Sequence, residues 1–74
     1  MKIGFIGTGN MGTALATAVA KSGLEAELFF ADFFAEKAEE VAKALQGTAA
    51  DNLTLVEKCD MVFRVEDGAI LKER

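Results

Sequence analysis

The 74-residue sequence contains no histidine and a single cysteine. Transition-metal sites are built largely from imidazole and thiolate ligands, so this composition argues against one. Cys59 has no second cysteine to pair with, which excludes a disulfide framework and leads us to expect a reducing cytoplasm. Basic residues are also few: eight Lys and Arg stand against twelve Asp and Glu, giving a net charge of −4. A nucleic-acid binder needs a basic patch to neutralise phosphates, and a membrane-surface helix needs a basic stripe; neither pattern occurs. The longest Ala- and Leu-rich stretch, Ala14 to Ala20, falls far short of the ~20 apolar residues that cross a bilayer. The N-terminus opens on a strand-like run rather than a signal peptide.

What remains is apolar and periodic. Hydrophobic residues make up 51% of the chain, too many for a disordered tail, and the length suits one domain. Lys2 to Gly7 is short, apolar and ended by glycine, the pattern of a buried strand, and Gly4 within it leaves room for close backbone approach. Met11 to Ser22 changes to helical spacing, with Leu15, Ala18 and Val19 on one face and Gly23 as the stop. Glu27 to Asp32 reads as a second strand. Ala35 to Gln46 is a helix with Ala38, Val41, Ala42 and Leu45 inward, stopped by Gly47. Thr48 to Ala50 is a short third strand. Asp51 or Asn52 caps a brief helix through Lys58, and Met61 to Val65 is a fourth strand. Alternation of this kind implies an α/β fold with a parallel sheet and right-handed crossovers. Asp67-Gly68 between apolar runs signals a hairpin that returns Ala69 to Lys72 as an antiparallel edge strand, in preference to a helical tail.

Gly7-Thr8-Gly9-Asn10-Met11-Gly12 fits G-x-G-x-x-G, follows a strand and opens a helix, and Asp32 stands twenty residues beyond Gly12. The spacing assigns Gly7 to the turn, Gly9 to close approach of a pyrophosphate, and Gly12 to helix–strand packing. The helix N-terminus offers unpaired N–H groups, including those of Asn10 and Met11, to an anion, and Asp32 can accept from ribose hydroxyls.

Met1 to Gly23, with Glu36 to Glu40 and Ala50 to Phe63, resembles the N-terminal segment of pyrroline-5-carboxylate reductase. The resemblance covers residues 1 to 63. It implies a Rossmann domain of strand order 3-2-1-4, with helices on both faces, that binds NADPH or NADH, and an activity of reducing a cyclic imine to proline by hydride transfer. By matching position, Gly7, Thr8, Gly9, Asn10, Met11 and Gly12 hold the pyrophosphate. Two departures stand out. Phe33-Phe34-Ala35 follows Asp32 where the family tends to have Arg, Asn or Pro, so a 2′-phosphate donor is lost. After Phe63 the sequence leaves the family pattern, and the helical domain that supplies dimer contacts and much of the substrate site does not appear. The expectation is an engineered fragment that binds the dinucleotide weakly without turning over substrate; the rival expectation is a structural fragment that binds no ligand.

Phe33 and Phe34 fall in a loop, as an adenine-stacking or self-association patch. An alternative is one long helix over Glu25 to Gln46, a stretch without Pro or Gly in which Phe30, Phe34, Ala38, Val41 and Leu45 fall at helical spacing. A homodimer is also expected. Phe5 or Ile6, and Phe29 or Phe30, must point to the sheet face that only the short helix after Asp51 can cover, and each wet side chain forfeits ~1.5–3 kcal/mol.

Overall fold

The computed structural model describes residues 1–23, 25–66 and 69–73, with Asn10 and Met11 described by backbone alone. Strands and helices alternate as β1 (Lys2–Ile6), α1 (Asn10–Lys21), β2 (Glu27–Ala31), α2 (Ala35–Leu45), β3 (Thr48–Ala49), α3 (Asn52–Lys58), β4 (Met61–Glu66) and β5 (Ala69–Lys72). The sheet order is β3-β2-β1-β4-β5. The first four strands are parallel, and β5 pairs antiparallel with β4 in the register Glu66↔Ala69 to Phe63↔Lys72. The returning edge strand is therefore present, while its expected turn residues, Asp67 and Gly68, lie outside the described residues. The single long helix over Glu25 to Gln46 does not form. Leu28, Phe29, Phe30 and Ala31 are all buried in β2, between β1 and β3. A helix would bury one stripe of that run, whereas a central strand buries both faces.

One face of the sheet carries Ile3, Phe5, Leu28 and Phe30, covered by Ala16 of α1 and by Ala38 and Ala42 of α2. Phe5 lies between Phe30 and Phe63, ring centroids 5.5 and 5.8 Å away, in a three-ring stack across β2, β1 and β4. Each such pair is worth ~0.5–1.5 kcal/mol beyond its buried area. The inward stripe of α1 differs from the expected one: Ala18 is exposed, Ala16 is fully buried, and Leu15 and Val19 are half-buried. Close contact at Gly12 sets the phase, because positions 12, 16 and 19 share a helical face.

The other face carries Ile6, Phe29, Ala31 and Val62, packed under Leu55 and Cys59. Gly4 makes this possible. A Cβ there would lie 2.4 Å from Leu55 Cδ2 and 2.9 Å from Cys59 Sγ, so α3 and the turn after it occupy the space a side chain would take. Ile6 is 6% exposed and Phe29 8%, which corrects the expectation that this face leaves two large side chains wet. One short helix covers them within the chain, and that argument for a dimer falls.

Caps fix the helix ends. Asp51, rather than Asn52, caps α3 by accepting from the Thr54 amide at 2.7 Å. The left-handed residue ending α2 is Gln46, at φ 58°, not Gly47. Gly47 serves packing: a Cβ there would lie 2.5 Å from the Phe30 ring and 2.7 Å from the Leu28 carbonyl oxygen.

Candidate functional site

The carboxyl ends of β1, β2 and β4 meet where the strand order reverses, between β1 and β4. In open α/β sheets this is where a crevice forms for ligands. Here the crevice is a cleft of about 330 Å³, bordered by Gly7, Asp32, Phe33, Asn52, Arg64 and Glu66 among others. Gly7, at the start of the Gly7–Gly12 loop, lies at its edge.

The three glycines of that loop differ in what the fold demands of them. Gly7 sits at φ +93°, and a Cβ would lie 2.9 Å from the Val65 carbonyl oxygen. Gly12 could not carry a Cβ without bringing it 2.6 Å from the Gly7 oxygen. Both are required by turn and packing. Gly9 is required by neither. Its backbone, φ −67° and ψ −175°, is open to any residue, and a Cβ there would meet no atom within 4 Å. The space over Gly9 therefore faces out of the fold, at the N-cap of α1.

Donors in the loop divide in the same way. The Gly7 amide donates to the Ala31 carbonyl at 2.8 Å, tying β1 to β2. The Thr8 amide and hydroxyl both donate to Asp32 Oδ2, at 2.8 and 2.7 Å. The Thr8 carbonyl accepts from the Thr13 hydroxyl at 3.0 Å. Gly7 and Thr8 thus spend their polar groups on holding the loop. The amides of Asn10, Met11 and Gly12, in the first turn of α1, have no carbonyl four residues back within the helix. No side chain caps this end, and its first turn has no acid. These amides, without intrahelical partners, and the positive end of the helix dipole lie beside the space over Gly9.

Asp32 also accepts from the Phe34 amide at 2.9 Å, through Oδ1. Partial burial pushes its carboxyl pKa up, but the hydrogen bonds from Phe34 and Thr8, helped by the Lys37 charge, outweigh this and hold it below the usual value. Asp32 is therefore an ionised joint between the loops after β1 and β2. The sequence led us to expect a ribose acceptor at Asp32 and did not reveal this tie, for which a Thr directly after the first glycine was the available signal. Phe33 is 95% exposed and meets Phe34 edge-on at 5.1 Å, with the Lys37 ammonium 5.3 Å over the Phe34 ring. On the far side of Asp32 lies an alcove of about 240 Å³, bordered by the carboxylates Asp32, Glu39 and Asp51 and by alanines of α2, β3 and the residue after β3. At the other end of the cleft, Arg64 is bound to Glu73 at 2.6 Å and lies 3.8 Å from Glu66.

Among the described residues, no group of three or more His, Cys, Asp or Glu is placed to hold a metal ion, and no helix is long and apolar enough to cross a membrane. Cys59 is buried at the C-terminal end of α3 and does not border the cleft.

A parallel sheet with this order and a glycine loop at the switch point define a Rossmann-like domain. The chain belongs to the family described as NADP oxidoreductase, coenzyme F420-dependent, whose family model matches residues 2–65. Among solved structures, the chain is similar to glutamyl-tRNA reductase from Methanopyrus kandleri, with 27% identity and a TM-score of 0.73. That match covers 85% of this chain and 16% of the other. No curated protein matches the sequence.

Proposed function

We propose that the chain binds a reduced nicotinamide dinucleotide, NADH or NADPH, through its pyrophosphate at the Gly7–Gly12 loop. The observation that carries this reading is Gly9, a glycine for which the fold itself has no need, set beside the first-turn amides of α1, which have no intrahelical partner. A pyrophosphate seated over Gly9 would accept from the amides of Asn10, Met11 and Gly12. Gly7 and Thr8 would shape the loop, with Asp32 holding Thr8 in place. The family and the similarity to a reductase support the same ligand class.

The bound cofactor would supply a hydride; the protein's part is to bind and orient it. The resemblance of residues 1–63 to pyrroline-5-carboxylate reductase suggests a cyclic imine as the hydride acceptor. The substrate side of such a reaction lies with other groups: Asp32 is committed to Thr8 and Phe34, and Cys59 is buried.

Backbone chemical shifts recorded during titration test the binding. We expect a Kd of about 0.1–1 mM, near −4 to −5.5 kcal/mol. Shifts should centre on residues 7–12 and 32. Gly9→Val should abolish them while the remaining spectrum stays folded. A silent loop with shifts elsewhere overturns the assignment.

A further inference from the structure

The charges around Asp32 bear on which dinucleotide fits. Resting on the reading above, we propose that the chain selects a dinucleotide whose adenosine ribose has a free 2′-hydroxyl, NADH over NADPH, through the carboxylates of Asp32, Glu39 and Asp51.

In this fold class the ribose lies at the carboxyl end of β2, where an acidic side chain accepts from the 2′-hydroxyl and a nearby Arg is needed for a 2′-phosphate. β2 here runs into Asp32. A carboxylate has about four acceptor positions. Two hydrogen bonds from Thr8 and one from Phe34 occupy three of them, leaving one for a ribose hydroxyl. The alcove beside it is bordered by Glu39 and Asp51 as well, and among the described residues no basic side chain borders it. Its alanines give an apolar wall of the kind a flat base packs against. A 2′-phosphate carries about −1.5 to −2 charges at pH 7 and would face all three acids.

Among the described residues, two cations come near. Lys37 acts on Asp32, but its ammonium sits over the Phe34 ring, and one charge stands against three. Arg64 borders the cleft on the other side of Asp32 and is already paired with Glu73 and Glu66. Among the described residues the corner thus lacks the basic clamp that a 2′-phosphate needs.

Titration of the 74-residue chain with NADH and with NADPH, followed by chemical shift, tests the proposal. NADH should bind at least about tenfold more tightly at low salt, with the gap narrowing as salt screens the acids. Phe33→Arg and Glu39→Lys change exposed side chains. Combined, they should raise NADPH affinity about tenfold more than they raise NADH affinity. Equal affinities, or tighter NADPH, with shifts still on residues 7–12, would overturn the selectivity and leave the binding site standing. An unchanged ratio in the double variant would overturn the role given to this corner. Failure of both dinucleotides to move residues 7–12 would remove the binding site and the proposal together.

Discussion

Thr8 donates twice to one oxygen of Asp32, from its amide at 2.8 Å and its hydroxyl at 2.7 Å. Thr8 is buried, so neither donor can turn to bulk water without opening the loop. Asp32→Ala should therefore leave buried donors unpaired and destabilise the fold by about 1–2 kcal/mol. Asp32→Asn retains an acceptor and should cost less. Urea midpoints measure both. An Asp32→Ala midpoint equal to that of the parent would mean the tie contributes nothing.

The same carboxylate makes stability depend on acid. Its folded-state pKa lies below the ordinary 3.8, so its contribution is present above that value and lost as pH falls through the folded pKa. Asp51, lowered chiefly by its hydrogen bonds from Thr54, acts in the same direction. Stability should hold from pH 7 to about pH 5 and then decline. Asp32→Asn should flatten part of that decline at the expense of stability at neutral pH. An identical acid profile in Asp32→Asn and Asp51→Asn would show that other carboxylates govern it.

The loop glycines should separate on mutation. Gly7→Ala forces a side chain into the left-handed region and against a carbonyl, and Gly12→Ala meets backbone at 2.6 Å; each should cost about 1–3 kcal/mol. Gly9→Ala meets nothing and should cost less than about 1 kcal/mol, the scale of a changed N-cap. Thermal unfolding ranks the three. A Gly9→Ala loss as large as that of Gly7→Ala would mean the fold, not a ligand, requires this glycine.

Gly4→Ala tests how α3 closes the second face. Its Cβ would overlap Leu55, so a loss of about 1–3 kcal/mol is expected. Leu55→Ala removes the obstruction while opening a cavity. In the double variant the two losses should sum to less than their separate values, because one side chain partly fills the space the other vacates. Additive losses in a double-mutant cycle would mean that the two residues do not share this space.

The alternation of strands and helices was legible because each element carries its own period and stop. The β2 run Leu28-Phe29-Phe30 was ambiguous, since an apolar run has no period; only pairing on both sides decided it. The loop glycines were legible from spacing, but the distinction between Gly9 and its neighbours needed coordinates, because it depends on what lies above each Cα. Likewise Ala16 and Ala18 look alike in sequence, and the contact of Gly12 with Gly7 determines which turns inward. The cover over Ile6 and Phe29 was missed because Gly4 was read as backbone space, whereas its missing side chain lets a seven-residue helix sit close enough to bury both.

With that face closed, self-association rests on the aromatic corner. Phe33 is 95% exposed and Phe34 57%, adjacent and in mutual edge contact, at the mouth of the cleft. Burying a Phe side chain is worth about 1.5–3 kcal/mol, and a two-fold arrangement would bury both pairs at once. Against this stand the net charge of −4 on each copy and the ordering cost of association, so the expected dimer is weak and favoured by salt. Sedimentation across a hundredfold dilution series should show mass falling toward the monomer. The melting temperature should rise with concentration, because only the folded chain presents the patch. Phe33→Ser with Phe34→Ser should remove the concentration dependence and leave the secondary structure intact, since neither ring belongs to the core clusters. NADH at several times its Kd should also oppose association if the dimer occludes the cleft that Phe33 borders. A monomer at every concentration, with an unchanged melting temperature, would overturn the association and leave Phe33 free to act on the cofactor alone.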